Sequence, residues 1–176
     1  EDFESGLSTF QNKIGNTNLF RIDSSLYQSG NKSAYDSSVN NANDTLFHST
    51  VIDLTTATNP VLSFWHIANL DTSDKAQILI STDSGITYNP IPDSAYKAIS
   101  SNGEGYNSSL CFNENNYKHW QISNFPTNYW WKKETFDLSG YAFSDKVKVM
   151  FVLNTDSSEN KSGWYLDDCI GSGCHI

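Results

Sequence analysis

The sequence contains few cysteines and few basic residues, and it has no long apolar run. It has three cysteines, and 11 Lys and Arg stand against 20 Asp and Glu in 176 residues. Three cysteines close at most one disulfide within the chain, so a disulfide scaffold is excluded. A net charge of −9 argues against nucleic acid as a partner, because binding phosphates requires clustered Lys and Arg. Without an apolar run of about 20 residues, membrane insertion is not expected either.

Segments with a helical hydrophobic period are also missing, whereas strand patterns are frequent. Every second residue from Val147 to Leu153 is Val, Phe or Leu, which is typical of a half-buried antiparallel strand. Residues 61–70 form the most apolar run and predict an interior strand covered on both faces. Further strands are expected near residues 2–7, 20–22, 46–54, 76–81, 130–138 and 162–170. We therefore predict an all-β fold, an antiparallel sandwich of two sheets.

The length suits a single domain over residues 1–176. Two polar stretches lie between the predicted strands. Residues 28–44, rich in Ser, Asn and Gly, predict a loop, and residues 89–127, which contain three of the four prolines, predict a long loop insertion. The chain opens at Glu1 and its single methionine is Met150. We expect it to be a processed product or an excised part of a larger polypeptide.

Two adjacent carboxylates, Asp167 and Asp168, stand in the predicted closing strand. A strand interior does not hold such a pair without a neutralising partner. A bound cation, an Arg or Lys, or exposure at the strand end would each meet that need. Because basic residues are scarce, an oxygen-ligated cation such as Ca²⁺ is a serious candidate. The first predicted strand carries Glu4, and we expect it near Asp168.

Six motifs occur in the order found in MAM-like jelly-roll modules of the cleaved-adhesin type, and the resemblance covers nearly the whole chain. They are residues 3–6 (FESG), 43–54 (NDTL leading to VIDL), 62–66 (LSFWH), 80–85 (ISTDSG), 131–139 (WKKETFDLS) and 163–168 (GWYLDD). The resemblance implies a non-catalytic jelly roll, attached to secreted bacterial proteases or surface proteins and often holding structural calcium near its termini. By position, Glu4, Asp44 and Asp168 resemble the metal ligands, and Asp36 is a weaker fourth candidate.

One departure from the family pattern concerns Cys169, which stands where Val or Ile is usual. We interpret Cys169 as a small buried hydrophobe, which disfavours a disulfide with Cys174 without excluding it. Asn-x-Ser/Thr sequons at Asn31, Asn43, Asn107 and Asn160 fit exposed loops. A secreted or cell-surface location is expected, because extracellular calcium suits a structural site of modest affinity.

The sequence gives little support to an enzyme. None of the four histidines lies in a catalytic motif, and His66, within the most apolar run, is expected to be a core histidine. Asp167 and Asp168 could in principle act as a glycosidase pair. However, adjacent strand residues point to opposite faces, so these two cannot act on one bond.

Aromatic residues cluster after the long loop and suggest a binding surface. Trp120, Tyr129, Trp130 and Trp131 are candidates for stacking on sugar rings or on a protein surface, although core packing is the commoner role of large aromatics. In a regular strand Trp130 and Trp131 cannot both point inward, so one should be exposed or covered by the loop. The predicted partner is an extracellular protein or a glycan.

Overall fold

The computed structural model describes residues 1–97, 104–106 and 109–172. Ten strands are present: β1 Phe10–Asn12, β2 Arg21–Asp23, β3 Ser33–Asp36, β4 Asn43–His48, β5 Val61–Asn69, β6 Lys75–Ser81, β7 Asn89–Pro90, β8 Lys132–Asp137, β9 Lys148–Asn154 and β10 Gly163–Ser172. Short 3-10 helices cover Asp93–Ala95, Glu114–Asn116, Lys118–Gln121, Asn128–Trp130 and Ser139–Tyr141. The described ranges contain no α-helix. None of their helices is long and apolar enough to cross a membrane.

The strands form two five-stranded antiparallel sheets that pack face to face. Sheet A has the order β1-β4-β9-β6-β7, and sheet B has the order β2-β3-β10-β5-β8. This is the predicted two-sheet jelly-roll sandwich, so the fold class is confirmed. The most apolar run of the sequence, β5, lies between β10 and β8 inside sheet B, as expected of a strand buried on both faces.

The core between the sheets follows from strand alternation. In β9, Val149, Phe151 and Leu153 are buried and point to sheet B. The Phe151 ring lies 5.3 Å from Phe64 of β5 and 5.7 Å from Trp164 of β10 (ring centroids), both in edge-to-face contact. One ring of sheet A therefore joins the two central strands of sheet B.

Two local predictions were wrong. Residues 2–7 form turns and no strand, because Phe3 and Gly6 have φ values of 58° and 101°. Residues 28–44 are not one loop, since β3 and the start of β4 lie within them. Strand β3 is short and polar, and it forms because β2 and β10 pair with it on either side. Such pairing between distant segments leaves no local signal.

Candidate cation site and ligand-binding groove

A pair of buried carboxylates lies where β3 ends and β4 begins. Asp36 and Asp44 are both fully buried, and the loop that joins β1 to β2 covers them. Asn18, in this loop, contacts both. Its backbone N–H donates to Asp44 Oδ1 at 2.9 Å, and its side-chain Nδ2 donates to Asp36 Oδ1 at 2.9 Å. The other oxygens, Asp36 Oδ2 and Asp44 Oδ2, have no hydrogen-bond partner.

The two carboxyls affect each other's ionisation in opposite directions, because the charge of Asp44 raises the pKa of Asp36 whereas a side-chain hydrogen bond with Asp36 lowers the pKa of Asp44. Burial, and then the neighbouring Asp44 charge, raise the pKa of Asp36 to about 7. Burial also raises the pKa of Asp44, against the backbone N–H groups of Asn18 and Thr17, which favour its charged form. No lysine or arginine forms an ion pair with either carboxyl among the described residues. The pair therefore carries negative charge that no ion pair among the described residues neutralises, although the charge of Arg21 lowers the pKa of Asp36.

This geometry fits a hard cation. Two carboxylate oxygens are buried without partners, and Ca²⁺ takes such oxygens together with amide and backbone carbonyl oxygens. Within the described residues no three Asp, Glu, His or Cys side chains converge on one point. The remaining ligands would thus be neutral oxygens, and the Asn18 carboxamide is in place to supply one after reversal of its amide.

The other two predicted ligands, Glu4 and Asp168, lie elsewhere. Asp36 is paired with Trp164 of β10 in the sheet. Asp168 follows Trp164 by four residues in β10, which separates Asp168 from the Asp36 end of the strand by about 13 Å. Glu4 Oε1 accepts from the backbone N–H groups of Asn31 and Lys32 at 2.7 and 2.8 Å. Asp168 Oδ1 accepts from the Ser29 hydroxyl at 2.9 Å. The structure separates the four predicted residues into two pairs, and a metal-binding role for Glu4 and Asp168 remains a prediction.

Asp167 is bound by backbone N–H groups, a kind of partner that the sequence did not suggest. It is fully buried, and its Oδ2 accepts from the backbone N–H groups of Gln28 and Ser29 at 2.8 and 3.3 Å. Its Oδ1 accepts from the backbone N–H of Asp168 at 2.8 Å. Backbone donors thus satisfy this carboxylate in place of a cation, a lysine or solvent.

A second buried polar cluster lies inside sheet B around Glu134. Glu134 Oε1 is 3.0 Å from His66 Nε2 and accepts from the Tyr117 hydroxyl at 2.6 Å. Glu134 Oε2 accepts from the Tyr96 hydroxyl at 2.5 Å. Trp164 Nε1 donates to His66 Nδ1 at 3.2 Å, so the neutral ring carries its proton on Nε2 and donates it to Glu134.

Burial lowers the pKa of His66 despite the adjacent carboxylate, which favours the neutral ring. Both side chains are fully buried and hydrogen-bonded. This cluster gives its hydrogen bonds to protein partners and not to solvent. It anchors residues 89–127 to the sandwich instead, because Tyr96 and Tyr117 belong to that segment. The expectation that His66 is a core histidine is confirmed.

The predicted aromatic platform is mostly core. Trp120, Trp130 and Trp131 are buried, and Tyr129 alone of the four predicted residues is exposed, at 79%. Of the two alternatives expected for Trp130 and Trp131, exposure of one is wrong, because both are buried. The 3-10 turn Asn128–Trp130 precedes β8, which begins only at Lys132, so strand alternation does not apply to the two tryptophans. The indole N–H of Trp120 donates to the Trp130 carbonyl at 3.1 Å and fixes this turn.

An open groove of about 410 Å³ lies on the outer face of sheet B. It is lined by Ser25, Leu26, Asn124, Phe125, Pro126, Ser162 and Tyr165. Tyr165 points outward because its neighbours in β10, Trp164 and Leu166, are fully buried in the core. Phe125 is 82% exposed and forms part of the opposite wall. The groove therefore combines aromatic rings with small polar side chains.

The floor of the groove is rigidly supported. The Tyr165 ring stacks on Tyr35 of β3, with ring centroids 4.3 Å apart and planes 22° apart. The Tyr35 hydroxyl donates to the Ser162 carbonyl at 2.7 Å. Arg21 of β2 lies over the other face of Tyr35, with Cζ 4.6 Å from the ring centroid. Three adjacent strands thus hold one stack of side chains in place.

Sequence reasoning missed Asn18, Glu134 and the groove. Glu134 had a detectable signal, because it stands two residues before the buried Phe136 and so points to the same, inward face of β8. An acid at such a position requires buried hydrogen-bond donors. Asn18 had none, since it lies in a polar loop between two short strands. The groove joins residues around 25, 125 and 162, which only the tertiary fold brings together.

The remaining predicted features concern cysteines and sequons. Cys169 is buried and its thiol is free, and Cys174 lies outside the described residues, so the proposed pairing of the two is untested. Asn31, Asn43 and Asn160 are exposed, as expected of sequon positions, but Asn43 is the first residue of β4 and does not lie in a loop. Asn107 lies outside the described residues.

Comparison with known proteins gives matches in structure and none in sequence. No protein-family description and no curated protein matches the chain. The K3 cleaved adhesin domain of Lys-gingipain from Porphyromonas gingivalis is 15% identical with a TM-score of 0.56, over 98% of this chain and 96% of that one. CBM27-1 of Caldicellulosiruptor saccharolyticus, solved with mannohexaose, is 14% identical with a TM-score of 0.54, over 96% and 92%. TmCBM61, solved with β-1,4-galactotriose, is 12% identical with a TM-score of 0.51, over 97% and 92%.

At these identities the likeness establishes the fold. The chain has the β-sandwich of cleaved adhesin domains and of carbohydrate-binding modules, and it matches both along almost its full length. The resemblance to the cleaved-adhesin type is therefore confirmed at the level of architecture.

Proposed function

We propose that the chain is a non-catalytic, calcium-stabilised binding module that serves as an accessory domain of a larger secreted or cell-surface protein, such as a protease. One contrast carries this proposal. The buried acid–base groups around Glu134 are saturated by protein partners, whereas the groove presents the exposed ring of Phe125 and the exposed polar side chains of Asn124 and Ser25. A surface of this kind can hold a ligand without transforming it.

Calcium is proposed at Asp36 and Asp44, with Asn18 and backbone carbonyls completing the site. The support is the pair of buried carboxylate oxygens without partners. An uncompensated buried charge is costly, and a bound divalent cation would remove that cost. The ion would tie the last residue of β3 to β4, and so connect sheet B to sheet A at one end of the sandwich.

Thermal unfolding with millimolar Ca²⁺ and with excess chelator tests the calcium proposal. At a concentration 100 times Kd, a ligand of the folded state adds about 2.7 kcal/mol, which raises Tm by roughly 5–10 °C in a domain of this size. We expect this rise in the unaltered chain, its loss in Asp44→Asn and its retention in the matched control Asp168→Asn. A rise lost in Asp168→Asn and kept in Asp44→Asn would move the site to the termini. No rise in the unaltered chain would refute calcium binding.

The proposed ligand of the groove is a glycan. The combination of exposed Phe125, the Tyr165 floor, and the side chains of Asn124, Ser25 and Ser162 suits a sugar, whose rings stack on aromatics while its hydroxyls bind polar groups. The comparison proteins solved with mannohexaose and β-1,4-galactotriose share the fold and support this choice. Adhesion to a protein surface is the alternative.

Affinity electrophoresis through gels containing β-mannan or β-1,4-galactan tests the glycan proposal. We expect retardation of the unaltered chain by one of them and a clear reduction in Phe125→Ala. Phe143→Ala is the matched control, because Phe143 is 95% exposed and lies outside the groove. Retardation that Phe125→Ala leaves unchanged would refute the groove as the site. Failure of both polymers to retard the chain, together with binding to a protein surface, would favour adhesion.

A further inference from the structure

A cluster of basic side chains stands out on this acidic chain. His119 contacts both Lys132 and the exposed Tyr129, and we call these three residues the Tyr129 patch. The edge of the His119 ring meets the Tyr129 ring at a centroid distance of 5.5 Å and an interplanar angle of 79°. Lys132 Nζ lies 3.5 Å from His119 Nδ1. The patch follows the groove closely in sequence, because residues 124–126 line the groove and the turn Asn128–Trp130 begins two residues later.

The contact between Lys132 and His119 sets the hydrogen-bonding character of the patch. An ammonium only donates, so Nδ1 of His119 is the acceptor and Nε2 carries the ring proton. Lys132 also lies over the Tyr117 ring, with Nζ 5.3 Å from the centroid. One lysine charge and two kinds of N–H donor are therefore gathered at the same place.

Among the described residues, Lys132 forms no ion pair with a carboxylate. In the part of the chain that the structure describes, the lysines that form ion pairs are Lys97 with Asp137 and Lys161 with Glu114. Glu104 Oε1 accepts from the backbone N–H of Lys118 at 3.2 Å, which places an acid beside the residue that precedes His119. The Tyr117 hydroxyl is occupied by the buried Glu134. The Lys132 ammonium thus retains capacity for an anion from outside the chain.

Tyr129 adds a surface for a ring. Its side chain is 79% exposed, and its ring makes an edge-to-face contact with the His119 ring. An exposed aromatic next to a lysine ammonium and an imidazole N–H matches a sugar that carries an acidic substituent, since the ring stacks while the carboxylate or sulfate accepts charge-assisted hydrogen bonds.

We infer that the Tyr129 patch is a subsite for a negatively charged sugar, a uronate or a sulfate ester, within the glycan ligand proposed above. The inference rests on that proposed function. The net charge of −9 repels dense polyanions. The subsite therefore suits a glycan whose acidic groups are isolated on an otherwise neutral backbone.

Affinity electrophoresis with matched polymers tests the subsite. One pair is a glucuronoxylan and its carboxyl-reduced form, and the other is a sparsely sulfated galactan before and after desulfation. The chain should bind the acidic member of one pair at least tenfold more tightly than its neutral counterpart, and the pair that responds identifies the acid. In Lys132→Gln this preference should fall by roughly tenfold, the size of one charge-assisted hydrogen bond.

Lys146→Gln is the matched control, because it removes the same charge from an exposed lysine outside the patch and should keep the preference. Far-UV circular dichroism and Tm establish that both variants are folded. Equal binding of the acidic and neutral members, or a preference that Lys132→Gln retains, would overturn the subsite and leave the glycan proposal standing. If none of the four polymers retards the chain, the subsite fails, and the glycan proposal fails with it only if β-mannan and β-1,4-galactan also leave the chain unretarded.

Discussion

The two buried acidic clusters differ in how completely they are satisfied. Glu134 is surrounded by donors from His66, Tyr96 and Tyr117, and both of its oxygens are bonded. Asp36 and Asp44 face each other across the sandwich edge, and each has one oxygen without a partner. Full burial is common to both, so burial alone does not distinguish a structural acid from a binding site. A missing hydrogen-bond partner distinguishes the two, because a buried oxygen without a partner destabilises the fold and a ligand can remove that destabilisation.

The largest effect expected from this comparison is at Glu134. In Glu134→Leu, the His66 N–H and two tyrosine hydroxyls lose their common acceptor while remaining buried, which should lower the free energy of unfolding by about 3–5 kcal/mol. Urea unfolding followed by circular dichroism measures it. Glu159→Leu, at an exposed position, should stay within about 0.5 kcal/mol of the unaltered chain. A loss below 1 kcal/mol for Glu134→Leu would mean that the cluster does not anchor the segment.

The same cluster should make stability depend on pH. Folding lowers the pKa of His66 below its ordinary 6.5, so below pH 6.5 the unfolded chain binds a proton that the folded chain does not. The contribution of His66 to stability should therefore fall as pH falls from 6.5, with a slope approaching about 1.4 kcal/mol per unit, while Asp36, whose pKa is raised to about 7, contributes in the opposite direction. Urea unfolding between pH 7.5 and 5.5 measures the slope. His66→Gln should be less stable at pH 7.5 but lose this contribution, and parallel curves for the two proteins would contradict the assignment.

At the pair of Asp36 and Asp44, removing an acid should raise the free energy of unfolding instead of lowering it. In Asp36→Asn, the new amide keeps an oxygen for Asn18 and gains an N–H that can donate to the unpartnered Asp44 oxygen. With chelator at pH 8 we expect a gain of about 1 kcal/mol in the free energy of unfolding. The stabilisation by calcium should disappear in the same variant. Urea unfolding with and without Ca²⁺ measures both, and a loss of stability in chelator would show that the acid pair is not strained without metal.

The smallest effect is expected at Tyr129. Its ring is largely exposed, so Tyr129→Ala should change the free energy of unfolding by less than about 0.5 kcal/mol. Trp130→Ala, at the next residue, removes a buried indole and should cost about 3–5 kcal/mol. Urea unfolding of both variants gives the comparison directly. Similar losses for the two would mean that Tyr129 is part of the packed core and not a free surface.

Much of the fold could be predicted because its longer strands carry strong local patterns. Strands β5, β6, β9 and β10 stand close to where alternation and apolar runs placed them, and their number implied two sheets. Strand β3 could not be found, since it is polar and depends on pairing with β10.

The candidate site was only partly predictable for a similar reason. Asp36 and Asp44 are near in sequence, and the structure places them together. Glu4 and Asp168 join a different loop, and no residue pattern marks that separation. The aromatic cluster was ambiguous because the 3-10 turn before β8, which directs Trp130 and Trp131 inward, has no periodic signature.

The place of the last strand in sheet B bears on how the chain is made. Strand β10, the final strand in sequence, lies at the centre of its sheet between β3 and β5, and β9 holds the same position in sheet A. During synthesis, neither sheet can close until nearly all of the domain has emerged from the ribosome. The strands that precede β9 and β10 would stay unfolded until then, and many long-range contacts would form late and slowly. A truncation that removes residues 163–172 should therefore leave no folded remnant, whereas changes in the peripheral strands should be tolerated.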